Sequence, residues 1–297
     1  QYAALSYCWG SQGAILTTKS TLKDRKIKIY EAQLPKSMQN AFALARSLGL
    51  HYIWIDALCI VQDDPGEWKV EAEKMGLVYS NAFLVISATS SPHADGGLFN
   101  PRGRILRATL PDISGENRSI HARRVLDHEI ITSCRIKPDK SWEKDISKTF
   151  PLLSRAWGFQ ERLLATRIIH FTPHELVWEC GESRWCECGA LEDSSYPLRN
   201  NMLAAIQECR QNRVTETIRP MWREVVKSYS RRSLTFLHDR LPALSGVAQL
   251  LSAPNDRYVA GLWRNALPYD LLWRCDQSRL LGYEKHRKPS WSWASVD

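Results

Sequence analysis

The chain has no apolar run near the ~20 residues needed to cross a bilayer. Its longest candidates are strand-sized, such as residues 83–88. A soluble, cytoplasmic protein without a membrane span is therefore expected. There is no Gly-rich phosphate loop of Walker or Rossmann form, which excludes the commonest nucleotide-binding loops. No C-x-x-C pair occurs, and there is no internal repeat or low-complexity tract. The first residues, Gln1-Tyr2-Ala3, show neither Met nor a basic-then-apolar leader. No signal peptide is in view, and a piece trimmed from a longer protein is expected.

What is present suffices for a large core. The 297 residues are 44% hydrophobic, and a chain of this size buries roughly 75% of its unfolded surface. Its 12 Trp need deep cores or aromatic-lined clefts. Eight Cys, several in apolar segments (Cys8, Cys59, Cys209, Cys275), read as reduced thiols of an intracellular protein. The net charge is +8, but residues 1–98 hold nine Lys/Arg against nine Asp/Glu, so the excess lies in 99–297. There the basic residues are interleaved with acids, which suits a solvated surface better than a nucleic-acid partner.

Residues 52–64, YIWIDALCIVQDD, are the stretch that organises the rest. Tyr52-Ile53-Trp54-Ile55 is β-branched and aromatic without a polar break, as in a strand buried on both faces of a mostly parallel sheet. Asp56 ends the run. Ligands of open α/β sheets collect outside the carboxyl ends of strands, so Asp56 is either a site residue or a cap for the next turn.

Residues 2–7 form a first strand that breaks at Cys8-Trp9-Gly10-Ser11. After Pro35 a helix follows, with Met38, Ala41, Phe42, Ala45 and Leu48 on one face and Gly49 as its stop. Trp68, Ala72, Met75 and Tyr79 mark a second helix, and 83–88 a buried strand. Strands separated by helices and short turns predict right-handed crossovers in a parallel sheet. Residues 89–150 break this pattern as a Gly-, Pro- and charge-rich insertion. A helix then spans about 154–164, with Ser154 as its cap. Strands at 167–171 and 176–180 are joined across 172–175. Beyond 195, Met202/Ala205/Ile206/Cys209, Trp222/Val225/Val226/Tyr229 and Leu244/Val247/Ala248/Leu251 mark three helices. Residues 289–294 alternate with period two, predicting a last strand that packs two Trp on the body. The expected fold is α/β, a mostly parallel sheet flanked by helices. Residues 1–190 make the core with its insertion, and 191–297 a mainly helical extension packed on it.

The blocks LSYCWG (5–10), LPKSMQNAFALARSLGLHYIWIDALCIVQDD (34–64), EAEKMGLVYSNAFLVISA (71–88) and SRAWGFQERLLATRIIHF (154–171) resemble the fungal heterokaryon-incompatibility (HET) domain, in the family's order. YSRRSLTF (229–236), DRLPALSGVA (239–248), YVAGLW (258–263) and PSWSWAS (289–295) resemble the C-terminal part of long HET proteins. Only 99–150 carries no assignable motif. The resemblance implies a fungal cell-death protein responding to non-self contact, with a homo-oligomer or a non-self recognition protein as partner. It also implies a TIR-like (flavodoxin-like) fold, whose members either assemble signalling complexes or cleave NAD.

Ser154-Arg-Ala-Trp157-Gly-Phe-Gln-Glu161 is similar to the S-x-W-x-x-x-E segment opening a helix in NAD-cleaving TIR domains. The Trp-to-Glu spacing matches, whereas two residues rather than one separate Ser from Trp. The resemblance implies that Glu161 is the catalytic acid of an NAD(P) glycohydrolase. A carboxylate near the ribose stabilises the oxocarbenium-like state of nicotinamide–ribose cleavage. Arg155, Arg162 and Arg167 offer the competing reading, an ion-pair network. Ser6, Tyr7 and Trp9 stand where the first strand breaks, with an aromatic to stack on a base. Asp56 would accept ribose hydroxyls, and Trp157 completes the expected substrate-binding set. Core packing is the alternative for Trp9 and Trp157. NAD enters as a substrate, with no cofactor. Two rival functions stay open, a non-enzymatic signalling or oligomerisation module and an enzyme acting on another small molecule in the same cleft. His170, His174, Cys180, Cys186 and Cys188 are dense enough for zinc but irregularly spaced, and no metal is assigned. Cys59, flanked by Leu58 and Ile60, reads as a buried inert thiol.

Overall fold

The computed structural model describes residues 1–10, 15–101, 105–123, 128, 131, 146–191, 197–211, 218–252, 255–275 and 288–296. β1 (Ala3–Ser6), β2 (Ile53–Trp54) and β3 (Leu84–Ser87) come first. An exposed hairpin follows, β4 (Leu106–Pro111) with β5 (Asn117–Ala122). β6 (Arg167–Phe171), β7 (Leu176–Cys180) and β8 (Arg184–Cys186) complete a six-stranded sheet in the order β2-β1-β3-β6-β7-β8. The first four strands of that order are parallel and the last two antiparallel.

The parallel strands alternate their side chains between two helical layers. Ala3, Leu5, Leu84 and Ile86 face Met38, Ala41 and Ala45 of α2 (Lys36–Ser47). On the other face Ala4, Val85 and Ile168 meet Met75 and Tyr79 of α4 (Pro65–Asn81). That helix starts at Asp64, whose carboxylate accepts from the Gly66 and Glu67 N–H groups and so satisfies two otherwise unpaired amides. Short helices α1 (Leu22–Ile27) and α3 (Asp56–Cys59) lie in the connections.

The 52–55 strand is not the doubly buried centre its composition predicts. β2 pairs with β1 at the sheet edge, Ile53 and Trp54 are half-buried, and Tyr52 is 72% exposed. β1 and β3 are the strands buried throughout. β-branched and aromatic residues suit an edge as well as a centre, and only pairing over distance decides between them.

α5 (Ala156–Leu164) packs beside α4. Its remaining surface is covered by the later helices α6 (Pro197–Arg210), α7 (Ile218–Tyr229) and α8 (Pro242–Leu250) through Phe159, Leu163, Met202, Trp222 and Val247. The backbones of α4 and α8 touch at two glycines: a Cβ on Gly76 would stand 2.8 Å from the Cα of Gly246. The start of α5 is held by the chain after α7. The Ala156 N–H donates to Ser233 O (3.0 Å) and the Ser233 N–H to Ser154 O (2.7 Å). Ser154 is therefore not the cap; its hydroxyl turns back to Pro151 O (2.7 Å), and Arg155 occupies the position before the helix.

A small pair, β9 (Tyr258–Val259) with β10 (Leu262–Trp263), precedes α9 (Leu267–Asp270). The predicted terminal strand is instead a 3-10 turn, Trp293–Ser295. Ser292 Oγ accepts the Ala294 N–H (3.1 Å) and donates to Ala260 O (2.6 Å), which bends the chain so that Trp293 is buried and Trp291 stays 40% exposed. Among the described residues no helix is long and apolar enough to cross a membrane.

Candidate active site

The order β2-β1-β3 means that the chain leaves β1 to one side and then crosses to the other. In open α/β sheets such a reversal opens a crevice at the carboxyl ends of the strands. Ser6 is the last residue of β1, and period-two alternation turns it toward the face covered by α4 and α5. There its hydroxyl donates to Glu161 Oε2. Tyr7 points to the opposite face, and its carbonyl accepts from Arg155 Nη1 (2.9 Å). The chain then turns at Gly10, with φ +83°. A Cβ there would come within 2.6 Å of the His93 Cβ, so the loops after β1 and β3 lie close together.

Trp9 Nε1 donates to Asp56 Oδ2 (2.8 Å), while Asp56 Oδ1 accepts the Ala57 N–H (2.7 Å) at the start of α3. Asp56 thus sits at the end of a strand and also binds the backbone of the next turn. The buried Tyr7 hydroxyl adjoins the Asp56 carboxylate. On α4, the Tyr79 hydroxyl donates to Leu5 O (3.0 Å) beneath the same cluster.

Burial dominates the electrostatics. It pushes the Glu161 carboxyl up to about 7 against the Ser6 hydrogen bond, with the Asp56 charge adding to the rise and Arg155 opposing it. Asp56 is raised by burial, in opposition to the Ala57 N–H, the Trp9 indole and Arg155. Both tyrosine hydroxyls are raised, chiefly by burial. A carboxyl at about 7 exchanges its proton near neutrality, which is where an acid–base group is most effective.

Ser6 with Glu161 on one face, and Tyr7, Trp9 and Asp56 toward the other, thus gather at the carboxyl end of β1, close enough for the Asp56 charge to act on Glu161. Trp157 does not join them. Its indole donates to Asp239 Oδ2 (3.1 Å) and stands edge-on to Trp68, with ring centroids 6.2 Å apart. Of the arginines beside Glu161 in sequence, Arg162 turns to Glu179 and Arg167 lies over the Phe83 ring. Sequence reasoning missed Tyr79, read as a mark of a helix face, and the part of Arg155 in tying α5 to β1. In Tyr79 the available signal was a hydroxyl on an otherwise apolar stripe.

A family model described as heterokaryon incompatibility protein (HET) matches residues 2–161, more than half of the 297-residue chain. The chain belongs to the HET family. Its relation to heterokaryon incompatibility follows from that membership, and the matched stretch contains all five clustered residues together with Trp157. No curated protein and no solved structure matches this HET chain.

Of the residues considered for zinc in this HET protein, Cys186 and Cys188 lie together, with their sulfurs 3.2 Å apart, whereas His170, His174 and Cys180 stand outside that cluster. His170 is buried in a polar chain, with Nδ1 2.9 Å from Thr89 Oγ1 and Nε2 3.4 Å from Glu179 Oε2. Arg162 and Arg184 bind the same Glu179, at 2.6 and 3.2 Å. Burial alone would raise Glu179, but Arg162 and His170 hold it well below the usual carboxylate range. Cys180 bonds to Ser183. Cys59 is exposed rather than buried. At the opposite ends of β1 and β2 a groove of about 320 Å³ is lined by Tyr2, Tyr52, Ile53, Trp54 and Val78, without a carboxylate.

Proposed function

We propose that this HET protein is a cell-death effector with a TIR-like (flavodoxin-like) core that hydrolyses the nicotinamide–ribose bond of NAD(P), with Glu161 as the catalytic residue. The reading is carried by one observation: Glu161 lies buried against Ser6 at the carboxyl end of β1, where burial pushes its carboxyl up to about 7. The partly buried Trp9 and Asp56, joined by a hydrogen bond beside the Tyr7 hydroxyl, support it, as groups that can meet a ring and a ribose. In the reaction the C1′–N bond breaks and its electron pair neutralises the pyridinium, so nicotinamide leaves without needing a proton. Ionised Glu161 stabilises the oxocarbenium-like sugar and takes the proton of the attacking water. Activity then rises with pH through about 7, as Glu161 ionises. The protein's partner in this reading is a second copy of the chain or a non-self recognition protein, and its place of action the cytoplasm.

The test is nicotinamide release from NAD by wild type and by Glu161→Gln over a range of protein concentrations. Turnover in the wild type alone, with circular dichroism unchanged in the variant, supports the mechanism. No turnover in either protein at any concentration rejects it in favour of a non-enzymatic assembly module. A specific observation favours that second reading: Leu106, Leu110, Ile113 and Ile120 are all exposed on and beside the β4–β5 hairpin.

A further inference from the structure

Irregular spacing argues against zinc in the sequence, but folding joins two of the cysteines considered there to two residues that were not. His128, Glu175, Cys186 and Cys188 bring one ligand atom each within 4.8 Å of all the others. His128 Nε2 lies 2.7 Å from Glu175 Oε1, and Cys188 Sγ lies 3.5 Å from each of these two atoms. The two sulfurs are 3.2 Å apart. Four ligands at about 2.0–2.3 Å from a tetrahedral Zn²⁺ ion stand about 3.3–3.8 Å from one another, so shifts of up to about 1 Å bring the four atoms into one shell.

The surroundings are those of a metal site. Cys186 closes β8, Cys188 lies in the turn beyond it, and Glu175 sits in the turn between β6 and β7. Glu175 is nearly inaccessible, and its second oxygen is held by the Cys188 N–H (2.9 Å) and Arg123 Nη2 (3.2 Å). That leaves Oε1 facing the imidazole and the thiol, as outer partners commonly orient a ligating carboxylate. Two thiolates, a carboxylate and an imidazole suit Zn²⁺ better than the harder Mg²⁺ or Ca²⁺, and four protein ligands fill its shell. Two thiolates and a carboxylate carry three negative charges, which Zn²⁺ and the adjacent Arg123 together balance.

We propose that His128, Glu175, Cys186 and Cys188 bind one structural Zn²⁺ ion, which ties the segment inserted after β3 to the antiparallel edge of the sheet. The ion lies beside a small apolar cluster in which Ile131 and Phe150 pack on Val177 and Cys186. Ion and cluster fasten the same segment to the same strands.

Metal content by mass spectrometry and Co²⁺ substitution of the full chain test the proposal. Expected are about one zinc per chain and, with Co²⁺, thiolate charge-transfer and intense tetrahedral d–d bands. Cys186→Ser and Cys188→Ser abolish the bands. His128→Ala weakens zinc retention roughly tenfold or more. Cys180→Ser leaves it unchanged. The Co²⁺ spectrum of the wild type needs no variant to fold. Absence of both zinc and those bands from wild-type protein overturns the proposal. So does a Cys186–Cys188 disulfide whose reduced form takes up no metal, or full zinc retention in Cys188→Ser.

Discussion

Glu161→Gln should change how stability depends on pH, independently of any catalytic role. The Glu161 carboxyl rises from an ordinary 4.5 to about 7 in the folded chain. Each pKa unit corresponds to about 1.4 kcal/mol, so burying the ionised form costs about 3 kcal/mol. The sign follows from proton binding: between those two values the folded state holds the proton more tightly than the unfolded state does. The contribution is fully present below about 4.5 and is lost as the pH rises through about 7. Glutamine is neutral throughout and keeps a carbonyl for the Ser6 hydroxyl. Urea unfolding at several pH values should show the variant gaining on wild type by about 2.5 kcal/mol between pH 5 and pH 8. Ser6→Ala removes a hydrogen bond that favours the ionised form and should move the loss in stability to higher pH. Parallel stability profiles for wild type and Glu161→Gln would falsify the burial argument, since they would mean that Glu161 has the same pKa folded and unfolded.

Three further substitutions probe the frame around the site. Gly246→Ala sets a Cβ 2.8 Å from Gln160 Oε1 and 2.9 Å from Gly76 Cα; overpacking of this kind costs about 1–3 kcal/mol, measurable as a lower urea midpoint at unchanged slope. Arg162→Met leaves Glu179 buried with Arg184 as a remaining partner, so a loss toward the low end of about 3–5 kcal/mol is expected. The wild type should lose the same stabilisation only as the pH falls through the acidic range, where the depressed Glu179 carboxyl takes up its proton. Gln160→Leu removes a fully buried amide with no partner among the described residues and should stabilise by about 1–2 kcal/mol; a loss in thermal unfolding would point to a buried water holding the amide.

Much of the frame was legible because it rests on local pattern. Met38, Ala41 and Ala45 recur at helical spacing and form the buried face of α2, and the apolar run at 83–88 contains β3. What escaped depends on partners far away in the chain. β2 is an edge strand only because of how β1 and β3 pair. Trp157 turns away from Glu161 to reach Asp239, and Ser292 ends the expected strand by reaching Ala260. The meeting of Ser6 with Glu161 spans 155 positions; it could be anticipated from strand ends and the resemblance of the 154–161 segment, not from periodicity. His128 and Glu175 meet across 47 positions, and no local spacing rule reveals a pair so far apart.

The clamp of Ser233 on the first turn of α5 separates two meanings of the word domain. The family match ends at residue 161, three residues before α5 does. A polypeptide cut there would lose the tail of that helix, the Ser233 carbonyl that receives the Ala156 N–H, and the partners of Phe159 on α7 and α8. The stretch that the family model matches is therefore shorter than the packed unit around α5, which reaches into α7 and α8. Substitutions near Ser233 or in α7 bear on the first turn of α5 from outside the matched stretch, so variation in the distal third of the chain has a direct mechanical route to the Ser6–Glu161 pair.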